Sequence, residues 1–221
     1  MKKINLIRPG FFGKHVPSDE RRIEFDILNE QILYLERYPD YVFLGDSITD
    51  RWDIYAYIKT DKFIVNRAVS GEHSEFLLKR FDADCVQLKP EYAVILIGTN
   101  DIFRTHPDEM GIRESEDEVF INWKNNINEM VSKCENADIK PVLCSVIPSD
   151  VRLPFDKEIR WRLTEKMNDY LKTMGKIYID YHSKLTEDGK SISKKYSHDG
   201  IHANAHGYEV MAKILIENLQ F

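Results

Sequence analysis

Five short apolar runs constrain this chain more than any other feature: "YVFLG" (41–45), "FIVNRA" (63–68), "YAVILIG" (92–98), "PVLCSVI" (141–147) and "KIYIDY" (176–181). They are rich in Val and Ile and apolar on both faces, the pattern of strands in a parallel sheet covered on both sides. Helical stripes separate them. Leu77, Phe81, Cys85 and Leu88 recur at three- and four-residue steps, as do Val119, Trp123, Ile127, Met130 and Cys134, then Ile159, Leu163, Met167, Tyr170 and Met174. A helix over about 19–37, with Phe25, Leu28, Ile32 and Leu35 on one face, precedes the first strand. Another over about 205–219 (Tyr208, Met211, Leu215, Leu219) closes the chain. Each stripe reads as core packing. No repeat, low-complexity tract or linker divides the sequence. The expectation is one α/β domain over 1–221, with 1–37 as an N-terminal extension and helix before strand 1. It is a three-layer α/β/α sandwich around a five-stranded parallel sheet of order 2-1-3-4-5.

That order puts ligands at the carboxyl ends of strands 1, 2 and 3, beside the switch point. Strand 1 ends in Gly45-Asp46-Ser47, Gly71 lies a few residues past strand 2, and strand 3 runs into Gly98-Thr99-Asn100-Asp101. A hydroxyl, a glycine amide and a carboxamide therefore converge. Singly, Ser47 could cap a helix, Gly71 could serve a turn and Asn100 an Asx-turn. Asp46 reads as a structural hydrogen-bonding residue that holds the turn. A serine hydroxyl needs a base to act as a nucleophile. Of seven histidines, His15, His73, His106 and His182 stand singly in polar stretches, and three lie in "SHDGIHANAHGYEVM". His198, His202 and His206 fall at i, i+4 and i+8, which on a continuous helix would align them as metal ligands. Gly200 and Gly207 oppose a helix there. In a tight loop, Asp199 can instead fold back to accept the Nδ1–H of His202, leaving Nε2 facing the serine.

The blocks "FLGDSITD", "VNRAVSG", "IGTND" and "DGIHANAHGY" together resemble the SGNH hydrolases, or GDSL-type esterases and lipases. The likeness runs from about residue 20 to the C-terminus. The helix before the Gly-Asp-Ser block is similar to the group that includes the catalytic subunits of platelet-activating-factor acetylhydrolase. The resemblance implies a flavodoxin-like fold and a cofactor-independent serine esterase, with Ser47 as nucleophile, His202 as general base and Asp199 as its orienting acid. It also implies an oxyanion hole formed by the Ser47 and Gly71 amides and the Asn100 side chain. Two positions depart from the family pattern: Ala203 stands where proline is usual after the histidine, and Asp50 where Glu or Gln is common. The α/β-hydrolase elbow G-x-S-x-G is absent.

Composition narrows the remaining choices. Net charge is −6 (31 Lys+Arg against 37 Asp+Glu) without a basic cluster, which argues against a nucleic-acid partner. No apolar stretch reaches the length of a membrane span, and the N-terminus lacks a signal-peptide core. Three widely spaced cysteines, Cys85, Cys134 and Cys144, form no metal or disulfide framework, so a reduced, cytoplasmic protein is expected. No cofactor or metal is expected. The partner is a small-molecule ester, and a homo-oligomer is compatible with the sequence. The expected substrate is a short acyl ester, acetyl first, of a sugar or lipid-like molecule. Alternatives are longer-chain lysophospholipase or thioesterase activity, a metal-dependent hydrolase using His198, His202 and His206, and a non-catalytic flavodoxin-like module. Loops 101–118 and 148–157 should frame the pocket. The first has an acidic end (Glu114, Glu116, Asp117, Glu118), and the second offers Arg152 and Phe155 as substrate contacts.

Overall fold

The computed structural model describes residues 4–107, 111, 113–150 and 157–221. Its strands are β1 (Tyr41–Gly45), β2 (Ile64–Asn66), β3 (Tyr92–Leu96), β4 (Lys140–Cys144) and β5 (Ile177–Ile179). All pair in parallel in the order β2-β1-β3-β4-β5. The register is fixed by contacts such as Tyr41 opposite both Ile64 and Tyr92. The hydrogen-bonded strands are mostly shorter than the apolar runs. Ile97, Val146 and Ile147 lie beyond strand ends yet are at most 2% exposed. Hydrophobicity reports burial, and burial continues after the ladder stops.

The helices are α1 (Pro17–Leu35), α2 (Ser47–Asp50), α3 (Ile54–Tyr57), α4 (Ser74–Asp84), α5 (Thr99–Phe103), α6 (Glu116–Asn136), α7 (Lys157–Thr173), α8 (His182–Leu185) and α9 (Ala205–Asn218), with a 3-10 turn at Val86–Leu88. Alternate residues of each strand face opposite sides, and the core accordingly splits in two. On one side Val42, Leu44, Ala93, Ile95 and Leu143 pack against α1, α4, α6 and α7. On the other, Phe43, Val94, Leu96, Val142 and Cys144 pack against α2, α3, α8 and α9. All three cysteines are buried and free.

α1 departs from its expected stripe. Phe25 and Ile32 are buried, but Leu28 is 36% and Leu35 68% exposed. The buried face instead runs Ser18, Arg22, Phe25, Asn29, Ile32, at steps of four, three, four and three. Three of those five side chains are polar, so an apolar stripe could not reveal the face that turns inward.

Candidate active site

The Gly-Asp-Ser block begins with a constraint from the sheet. A Cβ on Gly45 would meet the Leu96 carbonyl oxygen at 2.1 Å, so only glycine lets β1 run this close to β3 at its end. Asp46 is then the N-cap of α2. Its carboxylate accepts from Ile48 N at 3.0 Å. Ser47 is therefore the first helical residue and not the cap, and its own N–H has no acceptor within the helix. The helix start places the Ser47 side chain, 8% exposed, at the carboxyl edge of the sheet.

The second partner arrives from the chain's far end. Ser47 Oγ lies 2.8 Å from His202 Nε2, and His202 Nδ1 lies 2.6 Å from Asp199 Oδ2. The other Asp199 oxygen accepts from the Ile201 and His202 amides, both at 2.9 Å. Burial opposes the Asp199 charge, but these hydrogen bonds outweigh it and hold the carboxyl well below the usual range. The loop is held by a bridge between Ser197 and Ala203, by Gly200 N donating to Ser197 Oγ at 2.9 Å, and by Asp150 N donating to Gly200 O at 2.7 Å. Ala203 thus stands in a bridged loop where proline was the family expectation. Asn204 caps α9 by accepting from Gly207 N at 3.0 Å, and Tyr208 OH donates to Ile48 O at 2.8 Å. That last bond ties the first turn of α9, which directly follows the His202 loop, to the serine-bearing helix.

His198 and His202 precede α9, which begins at Ala205, so the three histidines of this segment do not share a continuous helix. His206 faces Glu209 at 3.7 Å. Among the described residues no group of three or more His, Cys, Asp or Glu is arranged to hold a metal ion.

Gly71 is a turn glycine, with φ +80°. Glu72 N donates to Val69 O at 3.2 Å, closing a four-residue turn in which the third position has the positive φ that favours glycine. Asn100, on the first turn of α5, donates from Nδ2 to Glu72 O at 2.9 Å. A carboxamide has two N–H donors, and the described residues occupy one. Strand order brings Ser47, Gly71 and Asn100 to three neighbouring strand ends.

Several residues around the site make contacts that the sequence did not reveal. Asp50 accepts from both Ser70 N (3.2 Å) and Ser70 Oγ (2.6 Å), fixing the residue before Gly71. Asp101 accepts from Ser74 N at 3.0 Å and from its hydroxyl, at the start of α4. Burial drives the Asp46 pKa up to about 7 against its amide hydrogen bond, with Asp101 and Glu72 adding like charge. His73 is half-buried and receives Arg104 Nε at 3.2 Å; burial, then the Arg104 charge, pushes its pKa down to about 4. The acidic run belongs to the start of α6. Ser115 and Glu118 form a capping box, and Glu114, Glu116 and Asp117 pair with Arg104, Arg162 and Lys166. Arg152 and Phe155, expected as substrate contacts, lie outside the described residues, as do Met110 and Ile112.

Residues 43–210 match the family model of the GDSL-like lipase/acylhydrolase family. The chain belongs to that family. A GDSL-like lipase from Bacteroides thetaiotaomicron VPI-5482 is similar in structure, with a TM-score of 0.68 and 26% identity over 90% of this chain and 95% of the other. An acetylxylan esterase from Geobacillus stearothermophilus shares the fold, with a TM-score of 0.60 at 16% identity over 83% and 94% of the two chains. An N-acylneuraminate cytidylyltransferase from Escherichia coli O18:K1:H7 (strain RS218 / NMEC) is 25% identical over 209 residues, 92% of this chain and 43% of that protein. The chain spans under half the length of the curated relatives it matches. No helix among the described residues is long and apolar enough to cross a membrane.

Proposed function

We propose that the protein is a serine esterase that removes short acyl groups, acetyl first, from a small polyhydroxylated or lipid-like molecule. The observation that carries this reading is the continuous hydrogen-bonded line from Ser47 Oγ through His202 to Asp199, with spacings of 2.8 and 2.6 Å. In this reading His202 Nε2 accepts the Ser47 proton as Oγ attacks the ester carbonyl, and Asp199 fixes the imidazole tautomer and stabilises the imidazolium. The developing oxyanion meets the Ser47 and Gly71 amides and the second Asn100 N–H. His202 returns the proton to the leaving alcohol, giving an acyl-enzyme. Water activated by the same histidine then releases the acid. Every proton is handled by side chains, so the reaction needs no cofactor.

The flanking loops favour a short acyl group. Ile102 is 3% exposed and packs into the core, while Arg104 is engaged with Glu75 and Glu114 at 3.2 Å each. Among the described residues of loop 101–118 this leaves the half-buried Phe103 as the large apolar side chain outside the core, a small wall for a long acyl chain. One curated relative is named for an N-acylneuraminate, which fits an ester carried on a sugar.

Steady-state hydrolysis of p-nitrophenyl acetate tests the reading. Ser47→Ala should remove turnover while leaving circular dichroism and Tm unchanged, and a chelator should leave the wild-type rate unchanged. Turnover retained in Ser47→Ala would refute the nucleophile. Loss in chelator, restored by a divalent metal, would favour the histidine-cluster alternative.

A further inference from the structure

The turn that carries Gly71 rests on a buried ionic network that the proposed chemistry does not itself use. The Glu72 carboxylate is fully buried. It accepts from Arg80 Nε at 2.8 Å and from a second Arg80 nitrogen, and also from the Ser18 hydroxyl. Arg80 continues to Asp84 at 3.0 Å, and Asp84 is gripped by both terminal nitrogens of Arg22 at 2.8 and 2.7 Å. Asn29 donates to Asp84 at 2.8 Å and accepts from Arg67 Nε at 3.0 Å. Burial works against the Arg80 charge, yet Glu72 and Asp84 hold its pKa above the ordinary guanidinium value.

Burying this many charges is costly, and a well-packed apolar cluster often serves stability as well or better. Location supplies the missing reason. The backbone carbonyl of Glu72 is the group that orients Asn100, and its N–H closes the turn around Gly71. Fixing the Glu72 side chain therefore fixes two of the three proposed oxyanion donors together. The first turns of α1 converge on the same few residues. Ser18 holds Glu72, and Arg21 holds Asp50 at 3.1 Å, which in turn holds Ser70. The Pro17 ring lies 3.4 Å from where a Gly71 Cβ would sit. The family match begins at residue 43, so α1 lies outside it.

We propose that Glu72 is a positioning residue for the oxyanion hole, and that the start of α1, through Ser18, is part of the device that holds it. This rests on the esterase reading above. The prediction concerns kcat: a displaced donor weakens binding of the transition state and leaves ground-state binding in place.

The test is a kinetic cycle on p-nitrophenyl acetate with Glu72→Gln, Ser18→Ala, Asn100→Ala and the two doubles on Asn100→Ala, each assayed below its Tm. Asn100→Ala should lower kcat about 10²–10³-fold, the usual loss for one oxyanion donor. Glu72→Gln should lower kcat about 10–100-fold and Ser18→Ala about 3–10-fold. KM and the pH–rate profile should stay unchanged, because His202 and Asp199 are untouched. On the Asn100→Ala background, Glu72→Gln and Ser18→Ala should each cost much less than alone, as residues acting through one group do. Fully multiplicative effects, an effect on KM instead, or kcat within about twofold in both single variants would overturn the proposal. Should Glu72→Gln fail to fold, the Ser18→Ala arm decides by the same criteria. If Asn100→Ala alone keeps wild-type kcat, the oxyanion reading of Asn100 fails first, and the inference falls with it for that stated reason.

Discussion

Asp46 separates what a residue type reveals from what its surroundings decide. Its position after Gly45 and before the serine suggested a turn-holding role, and the observed cap of α2 is such a role. Its titration was invisible, because it depends on complete burial and on Asp101 and Glu72, which are distant in sequence. One of its oxygens has no hydrogen-bond partner among the described residues, an arrangement that suits a protonated carboxyl. With the folded pKa raised to about 7, the folded state binds this proton more tightly than the unfolded chain does. The resulting stability is complete below the ordinary carboxylate range and is lost as pH rises through about 7. Burial also raises the pKa of Asp101 and Glu72, in the same direction. Wild-type Tm should therefore fall by a few degrees between pH 6 and pH 8, and Asp46→Asn, which keeps the capping oxygen, should show a smaller fall. An identical pH slope in the two proteins would remove Asp46 from this account.

At the scale of elements, period and spacing made the sheet readable. Five doubly apolar runs separated by helical stripes fix the class, and the switch point follows from the order β2-β1-β3-β4-β5. Serine, glycine, asparagine and the Asp199–His202 pair were legible because each sits at a strand end or in a loop before a helix. What stayed hidden was contact between elements. Ser18 and Glu72 are 54 residues apart and Arg22 and Asp84 are 62 apart, and nothing local distinguishes them from surface residues. The same holds for Tyr208, which reads as one member of an apolar face yet spans 160 residues to reach Ile48. Its ring also stacks on Trp52 at 5.6 Å. Tyr208→Phe keeps the stacking and deletes the hydroxyl, leaving a buried carbonyl without that donor. The expected cost is about 1–2 kcal/mol, or roughly 2–8 °C in Tm. A several-fold fall in kcat should accompany it, because this bond seats α9 on the serine helix. Unchanged Tm and kcat would mean that Trp52 stacking alone positions the two helices.

For the whole molecule, Ser47 stands at the carboxyl edge of the sheet, the loop before α9 brings His202 to it, and the first turns of α1 hold Glu72 and Asp50 near the turn that carries Gly71. The rim chemistry bears on substrate. With Ile102 turned into the core and Arg104 held in ion pairs, extending the acyl chain gains little of the roughly 0.8 kcal/mol available per buried methylene. Across p-nitrophenyl acetate, butyrate and octanoate, kcat/KM should therefore be highest for acetate, and a maximum at octanoate would reveal an apolar channel. The central claim is that Ser47, activated by His202, is the nucleophile, and one measurement addresses it most directly. The protein is treated with a fluorophosphonate and the modified peptide is located by mass spectrometry. One adduct per chain is expected, on Ser47, with labelling strongly slowed in His202→Ala and absent in Ser47→Ala. Labelling at another residue, or full-rate labelling of Ser47 without His202, would contradict it.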